Sequence, residues 1–267
     1  MAEPILKVEN LVKVYKKKNF EVQAVNNVNF SIAPGEILGV VGESGSGKST
    51  IARVISLLEP ATAGKIIFDG EDITKCTGKS KMGVYRKMQM VFQDAIGSFD
   101  PRMKIGHSIA EIIKNLEPGI TKAKIKECVE SRLVQVGLKP EYSDRYPYEL
   151  SGGECQRAAF ARAIALQPKF LIADEVTSAL DVSAQAQIVE LMKKLCVEMN
   201  VAMLFISHDL ALVSSVCSNV LVMHKGNSVE QGSVKDVICN TKQEYTKTLL
   251  SNILTIDWKE ENKCEIM

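Results

Sequence analysis

The sequence predicts an α/β fold organised on a mostly parallel sheet, and three observations carry that reading. Residues 36–41 are a mostly apolar run that ends at Gly42 and passes through a glycine-rich turn into a periodic segment, 49–58, which is the order strand, turn, helix. Farther on, apolar strands alternate with helical segments: helix 156–166, strand 169–173, helix 184–199, strand 201–206. Strands buried on both faces and joined by helices form parallel sheets. Between these two regions, residues 94–149 carry apolar positions at helical spacing, such as Ile125, Val129, Leu133 and Val136, and read as a helical insert.

The other elements follow from turn chemistry. The N-terminal third reads as short strands over 6–15, 22–32, 65–69 and 88–92, separated by turns at Pro34-Gly35 and Asp69-Gly70. Near the other end, Val220–Met223, the turn Lys225-Gly226 and Val229 fit a closing hairpin over 219–230. Beyond Ser233 the chain reads as a polar tail containing Trp258.

Composition narrows the function classes. With 267 residues, 46% hydrophobic and 24% charged, the chain buries a substantial core, which rules out disordered and fibrous classes. Lys plus Arg number 33 against 32 Asp plus Glu, so the +1 net charge leaves no global footprint for nucleic acid. Seven cysteines form no CxxC pair, which argues against a disulfide scaffold or a four-thiolate metal site. The first ten residues, with Glu3, Lys7 and Glu9, lack a signal-peptide core, and no run reaches the roughly 18 apolar residues that span a bilayer. The expected location is cytosolic, with a membrane partner still able to hold the chain at the bilayer.

The chemistry starts at the glycine-rich turn. Gly42, Glu43, Ser44, Gly45, Ser46, Gly47, Lys48 and Ser49 match the phosphate-binding loop pattern, with the required strand before and helix after, and Thr50 completes the candidate ATP-binding set. Glycines let several N–H groups turn toward phosphates, while the helix start adds a favourable dipole. Lys48 is expected to reach the β and γ phosphates and Ser49 to hold Mg²⁺.

Strand ends supply the remaining groups. The strand before Asp174 and Glu175 delivers two acids to the carboxyl edge of the sheet, where open parallel sheets bind ligands. Asp174 is expected to position Mg²⁺, directly or through water, and Glu175 to be the base that polarises the attacking water. His208, ending another buried strand, is a candidate partner of the γ phosphate or that water, and Gln93 a candidate ligand of metal or water. Ser151, Gly152 and Gly153 open a further helix and form a second anion-binding device, about 100 residues after the first. One ATP has no evident need of both.

On these residues the chain resembles the ATP-binding subunits of ABC transporters over nearly its whole length. The resemblance implies a P-loop ABC-type nucleotide-binding domain: residues 1–94 and 155–233 as the ATP-binding core with an N-terminal antiparallel β subdomain, 95–154 as the helical insert ending in the signature loop, and 234–267 as a C-terminal tail. In that family the Ser-Gly-Gly loop completes the ATP site of an opposite subunit, and Asp181 lies in the loop that couples the two sites. Tyr15 lies where the family stacks an aromatic ring on adenine, against the alternative of a core tyrosine. Segments such as Asp100-Pro-Arg102 and Ala179-Leu-Asp-Val182 are most similar to the second ATPase subunit of oligopeptide, dipeptide and nickel importers. That implies a sister ATPase or second copy, two transmembrane permeases, an extracellular solute-binding protein and a place on the cytoplasmic face of the membrane. Peptide is the leading cargo, nickel or another metal complex the alternative. A non-transport ATPase and a regulatory ATP-binding subunit are the competing classes.

Several positions depart from the family. Glu154 stands where Gln is usual, and a carboxylate pointing inward would weaken the partner's site. Val176 and Ala95 replace familiar prolines, and the segment 243–250 resembles a His-Pro-Tyr-Thr segment without its His and Pro. Cys155, at a helix start, is either a reactive thiol or a small buried side chain. Cys239 and Cys264 alone cannot build an iron–sulfur site. Ile96, Phe99 and Met103 either line a groove for a permease helix or belong to the insert core.

Overall fold

A computed structural model describes residues 3–17 and 20–253. Along the chain, β1 (Leu6–Lys17) pairs with β2 (Phe20–Ile32), and β3 (Ile37–Val41) leads through the glycine loop into α1 (Lys48–Ile55). Next come β4 (Ala63–Phe68), β5 (Glu71–Asp72), α2 (Gly78–Lys87) and β6 (Met88–Val91). The insert contributes α3 (Ile105–Leu116) and α4 (Lys122–Gln135), then short 3₁₀ turns at Pro140–Asp144 and Pro147–Glu149. The second half runs α5 (Gly152–Ala163), β7 (Phe170–Asp174), α6 (Val182–Met199), β8 (Ala202–Ser207), α7 (Leu210–Val216), β9 (Asn219–His224), β10 (Asn227–Ser233), α8 (Val234–Cys239) and α9 (Glu244–Ile253).

Two sheets result. One is antiparallel with strand order β2-β1-β4-β5; the other has order β10-β9-β3-β8-β7-β6 and is parallel except for the β9–β10 hairpin. Every residue of β7 and β8 is buried, as an apolar strand covered on both faces requires. Alternate side chains then divide between two cores. Phe170 and Ile172 join α1 and the antiparallel sheet, while Leu171 and Ala173 join α5, α6 and the insert helices.

Register decides where function can sit. Val41 pairs with Ser207, Asp174 with Ile206, and Val91 with Ala173, so β3, β6, β7 and β8 finish at one edge. Gly42, Glu175 and His208 follow directly from those ends, and Gln93 comes one residue later, after Phe92.

Three sequence expectations are altered. α5 starts at Gly152, so an insert ending at 154 would be cut inside a helix. Residues 234–253 are not simply a polar tail: they fold as α8 and α9 and place Val237 and Leu250 in the main core, because their few apolar residues gather on inward faces. Cys155 is fully buried and burial pushes its thiol up to about 11, which removes the reactive-thiol alternative. Trp258 and Cys264 lie outside the described residues.

Candidate functional site

The turn after β3 can curl only with glycine at its tight points. Gly42 and Gly47 have φ of 152° and 105°; a Cβ at Gly42 would lie 2.2 Å from the Met223 carbonyl oxygen, and one at Gly47 2.3 Å from that of Ala24. The Gly226 N–H also donates to the Ser46 carbonyl at 2.9 Å, so β2 and the β9–β10 turn hold the loop. Inside it, the buried Lys48 Nζ donates to the carbonyls of Gly42 (2.7 Å) and Glu43 (2.9 Å) and lies 3.9 Å from Glu175. Burial lowers the Lys48 pKa, opposed by the carboxylates of Glu175, Asp174 and Glu43. The Ser46 hydroxyl is buried without a hydrogen-bond partner. A loop with an orphaned hydroxyl, a parked ammonium and a helix start fits a polyphosphate.

The sheet edge faces this loop. Ser49 Oγ donates to Asp174 Oδ1 at 3.0 Å. Burial raises the Asp174 pKa; the Ser49 hydrogen bond opposes this and the neighbouring Glu175 adds to it. Hydroxyl and carboxylate oxygens are the hard donors that suit Mg²⁺, and among the described residues no cluster of three His, Cys, Asp or Glu offers another metal cage. Gln93 Nε2 donates to Glu175 Oε2 at 3.0 Å and to Ser178 Oγ at 3.3 Å. Glu175 adopts a left-handed backbone with φ of 48°, its N–H held by the Ile206 carbonyl at 3.0 Å. His208 is exposed and lines a cleft of about 800 Å³ with Glu43, Ser44 and Glu175.

Ser151, Gly152 and Gly153 lie elsewhere. They line a separate cleft of about 390 Å³ with Leu180 and Asp181, and the two clefts share no lining residue. Within one chain the glycine loop after β3 and the Ser151–Gly153 start of α5 therefore lie apart. Ser151 caps α5, accepting the Glu154 N–H at 3.4 Å, and Asp181 caps α6, accepting the Ala184 N–H at 3.0 Å.

Comparison with known proteins follows the same lines. Residues 25–178 match the pattern of the family described as ABC transporter. The chain belongs to the ABC transporter family. It is 45% identical over 258 residues to the oligopeptide transport ATP-binding protein OppF of Haemophilus influenzae, spanning 96% of this chain and 78% of that one. A putative peptide import ATP-binding protein of Brucella ovis is 44% identical over 95% of this chain and 80% of its own length. Among solved structures, the dimeric post-hydrolysis state of the ATP-binding cassette MJ0796 bound to ADP and Pi is similar with a TM-score of 0.79 at 27% identity, covering 86% of this chain and 98% of that one.

In this ABC ATP-binding subunit the other expected residues fall as follows. Tyr15 is half-buried; its hydroxyl donates to Glu59 Oε2 at 2.5 Å, and the Lys13 Nζ lies 4.9 Å from its ring centroid. Burial, then the Glu59 carboxylate, pushes the Tyr15 phenol pKa up, opposed by Thr50 of α1. Glu154 turns back on its own helix start: the Tyr142 hydroxyl donates to Oε1, and Ser151 N–H and Oγ donate to Oε2, each at 2.9 Å. Those contacts, Tyr142 foremost, hold its carboxyl below the usual range. Of the residues read as groove or insert core, Phe99 is buried under the Arg162 guanidinium, 4.1 Å from its ring, whereas Ile96 is exposed.

Sequence reasoning missed three contributors. Glu59 anchors Tyr15, Tyr142 engages Glu154, and Tyr245 of α9 accepts the Glu43 N–H at 3.1 Å. The segment 243–250 drew notice by resemblance; nothing in the pattern around Glu59 or Tyr142 marked them.

Proposed function

We propose that this subunit hydrolyses ATP to drive peptide import through a membrane permease, with Glu175 as the general base. The observation that carries the reading is the convergence at one sheet edge of Lys48, the Ser49–Asp174 pair and the Gln93–Glu175 pair. The cargo and direction rest on the peptide-transport names of relatives spanning nearly all of this chain.

Gly42, Glu43, Ser44, Gly45, Ser46, Gly47, Lys48, Ser49 and Thr50 cradle the triphosphate, and Tyr15 presents its ring to adenine. Ser49 and Asp174, with Gln93, are the residues that would hold Mg²⁺, which when bound offsets triphosphate charge. Lys48 leaves the carbonyls of Gly42 and Glu43 and donates to the phosphates instead. Glu175 accepts a proton from the attacking water, oriented by the Gln93 amide, and His208 donates from across the cleft. Ser151, Gly152 and Gly153 close over the triphosphate of a sister subunit or second copy, a role that suits their separation from this chain's own loop. Closure excludes water and completes the site only when ATP is present.

The 95–154 insert then transmits closure to two permeases supplied by an extracellular solute-binding protein. Ile96 and the exposed Phe92, beside Gln93, provide the apolar face for that contact. Among the described residues no helix is long and apolar enough to cross a membrane, so docking on permeases is the proposed tether to the cytoplasmic face.

The test is ATP turnover and labelled-peptide uptake by the reconstituted complex with wild-type or Glu175→Gln subunit. The variant is expected to bind ATP yet release phosphate roughly 10²–10⁴-fold more slowly. Retained phosphate release would remove Glu175 from the role of base, and turnover without peptide uptake would exclude the cargo.

A further inference from the structure

The phosphate loop is held from a side that its own motif does not encode. Tyr245 lies on α9, half-buried, with its ring on the His224 imidazole at the end of β9; the centroids are 3.9 Å apart and the planes tilted by 42°. From that seat its hydroxyl accepts the Glu43 N–H at 3.1 Å. One turn on, Leu249 forms part of the wall of the cleft that contains Glu43, Ser44, Glu175 and His208. The helix is seated firmly, since Thr246 is fully buried and Leu250 nearly so.

What Tyr245 holds matters because of what hangs on it. The Glu43 carbonyl and the Gly42 carbonyl are the two acceptors of the Lys48 ammonium, at 2.9 and 2.7 Å. The Glu43 N–H belongs to the Gly42–Glu43 peptide, so the plane carrying the Gly42 carbonyl is fixed through its opposite end by the phenol oxygen. A Cβ at Gly42 would lie 2.2 Å from the carbonyl oxygen of Met223, the residue before His224, so β9 leaves room there for glycine alone. The loop start is thus set by β9 and α9 together, and with it the starting position of Lys48.

We infer that Tyr245 is a positioning residue of the ATP site, through which the C-terminal helix sets how tightly this subunit holds a triphosphate. The inference rests on the glycine loop being the triphosphate site, as proposed above. Without the phenol oxygen the Gly42–Glu43 peptide is free to rotate, and each additional loop arrangement this opens is one the chain must give up when the loop closes on a triphosphate. The hydroxyl therefore acts by preorganisation, a cost removed from binding rather than a contact added to the ligand.

Tyr245→Phe in the full chain removes the hydroxyl and keeps the ring on His224. The probe is a fluorescent ATP analogue titrated with Mg²⁺, read beside the melting temperature of the nucleotide-free chain. Affinity is expected to fall roughly two- to tenfold, the worth of one neutral hydrogen bond, with the melting temperature lowered by no more than the ~1–6 °C that one such bond is worth. In the assembled transporter the same factor is expected in KM for ATP rather than in kcat. Equal affinity in wild type and Tyr245→Phe would overturn the inference alone. So would an affinity loss seen only in Tyr245→Ala together with a lowered melting temperature, since that pattern belongs to undocking of the helix. A wild-type chain that binds no nucleotide would overturn the phosphate-loop reading itself.

Discussion

Arg162 ties α5 to the segment that follows Gln93, and its replacement by Met has a magnitude that can be worked from contacts. Its guanidinium donates to the Ser98 carbonyl at 2.7 Å and to Ser98 Oγ at 2.8 Å, and packs 4.1 Å from the Phe99 ring centroid. Each hydrogen bond from a charged donor contributes about 1.5–3 kcal/mol, so the pair is worth ~3–6 kcal/mol before offsets. Burial lowers the Arg162 pKa, a sign that the charge is desolvated, and Met recovers that cost while keeping an unbranched stem against Phe99. The net loss is about 3 kcal/mol. At about 2–4 °C per kcal/mol for a chain of this size class, the melting temperature falls by roughly 6–12 °C. Differential scanning calorimetry of the nucleotide-free chain measures it, with Arg162→Lys expected between the two. A fall of less than about 2 °C for Arg162→Met would refute the claim that these two bonds clamp the segment to α5.

Asp174→Asn is expected to stabilise the empty chain at pH 7 while cutting Mg²⁺-dependent phosphate release by roughly a hundredfold or more. The folded-state pKa of Asp174 is raised by burial, so its contribution is favourable below the unfolded value, is lost as pH rises through the folded one, and is a net cost at neutrality. The melting-temperature gain over wild type should therefore shrink as the pH is lowered. Glu154→Gln keeps an acceptor for Tyr142 or Ser151 and should change stability by under about 1 kcal/mol. Its complex should turn over ATP at or above the wild-type rate, and a large loss would show that the carboxylate itself is required.

The sheet edge was legible because its logic is local. Each of Gly42, Gln93, Glu175 and His208 follows a short apolar strand, and parallel strands with buried faces must end together. The separation of Ser151 from the loop was anticipated only through the family resemblance, since neither spacing nor composition says which of two glycine-rich devices serves which chain. Residues missed at the site are those joined by long-range contact: Glu59 meets Tyr15 across 44 positions and Tyr245 meets Glu43 across 202. Periodicity carries no signal of such pairs. The folded region after Ser233 escaped for a related reason, because its apolar residues are few and count only once β10 and α7 present a surface to receive them.

The left-handed φ of 48° at Glu175 constrains the history of this position as well as its chemistry. Side chains branched at Cβ meet a backbone penalty there, about 1–2 kcal/mol for an ordinary L-residue, whereas Gly and Asn settle at little or no cost. On the role proposed for Glu175, a descendant that ceased to burn nucleotide would be free to lose the carboxylate, yet steric selection would still steer what replaced it. Inactive paralogues should therefore drift at this site toward small or amide side chains, leaving a fossil of the fold where the reaction has gone.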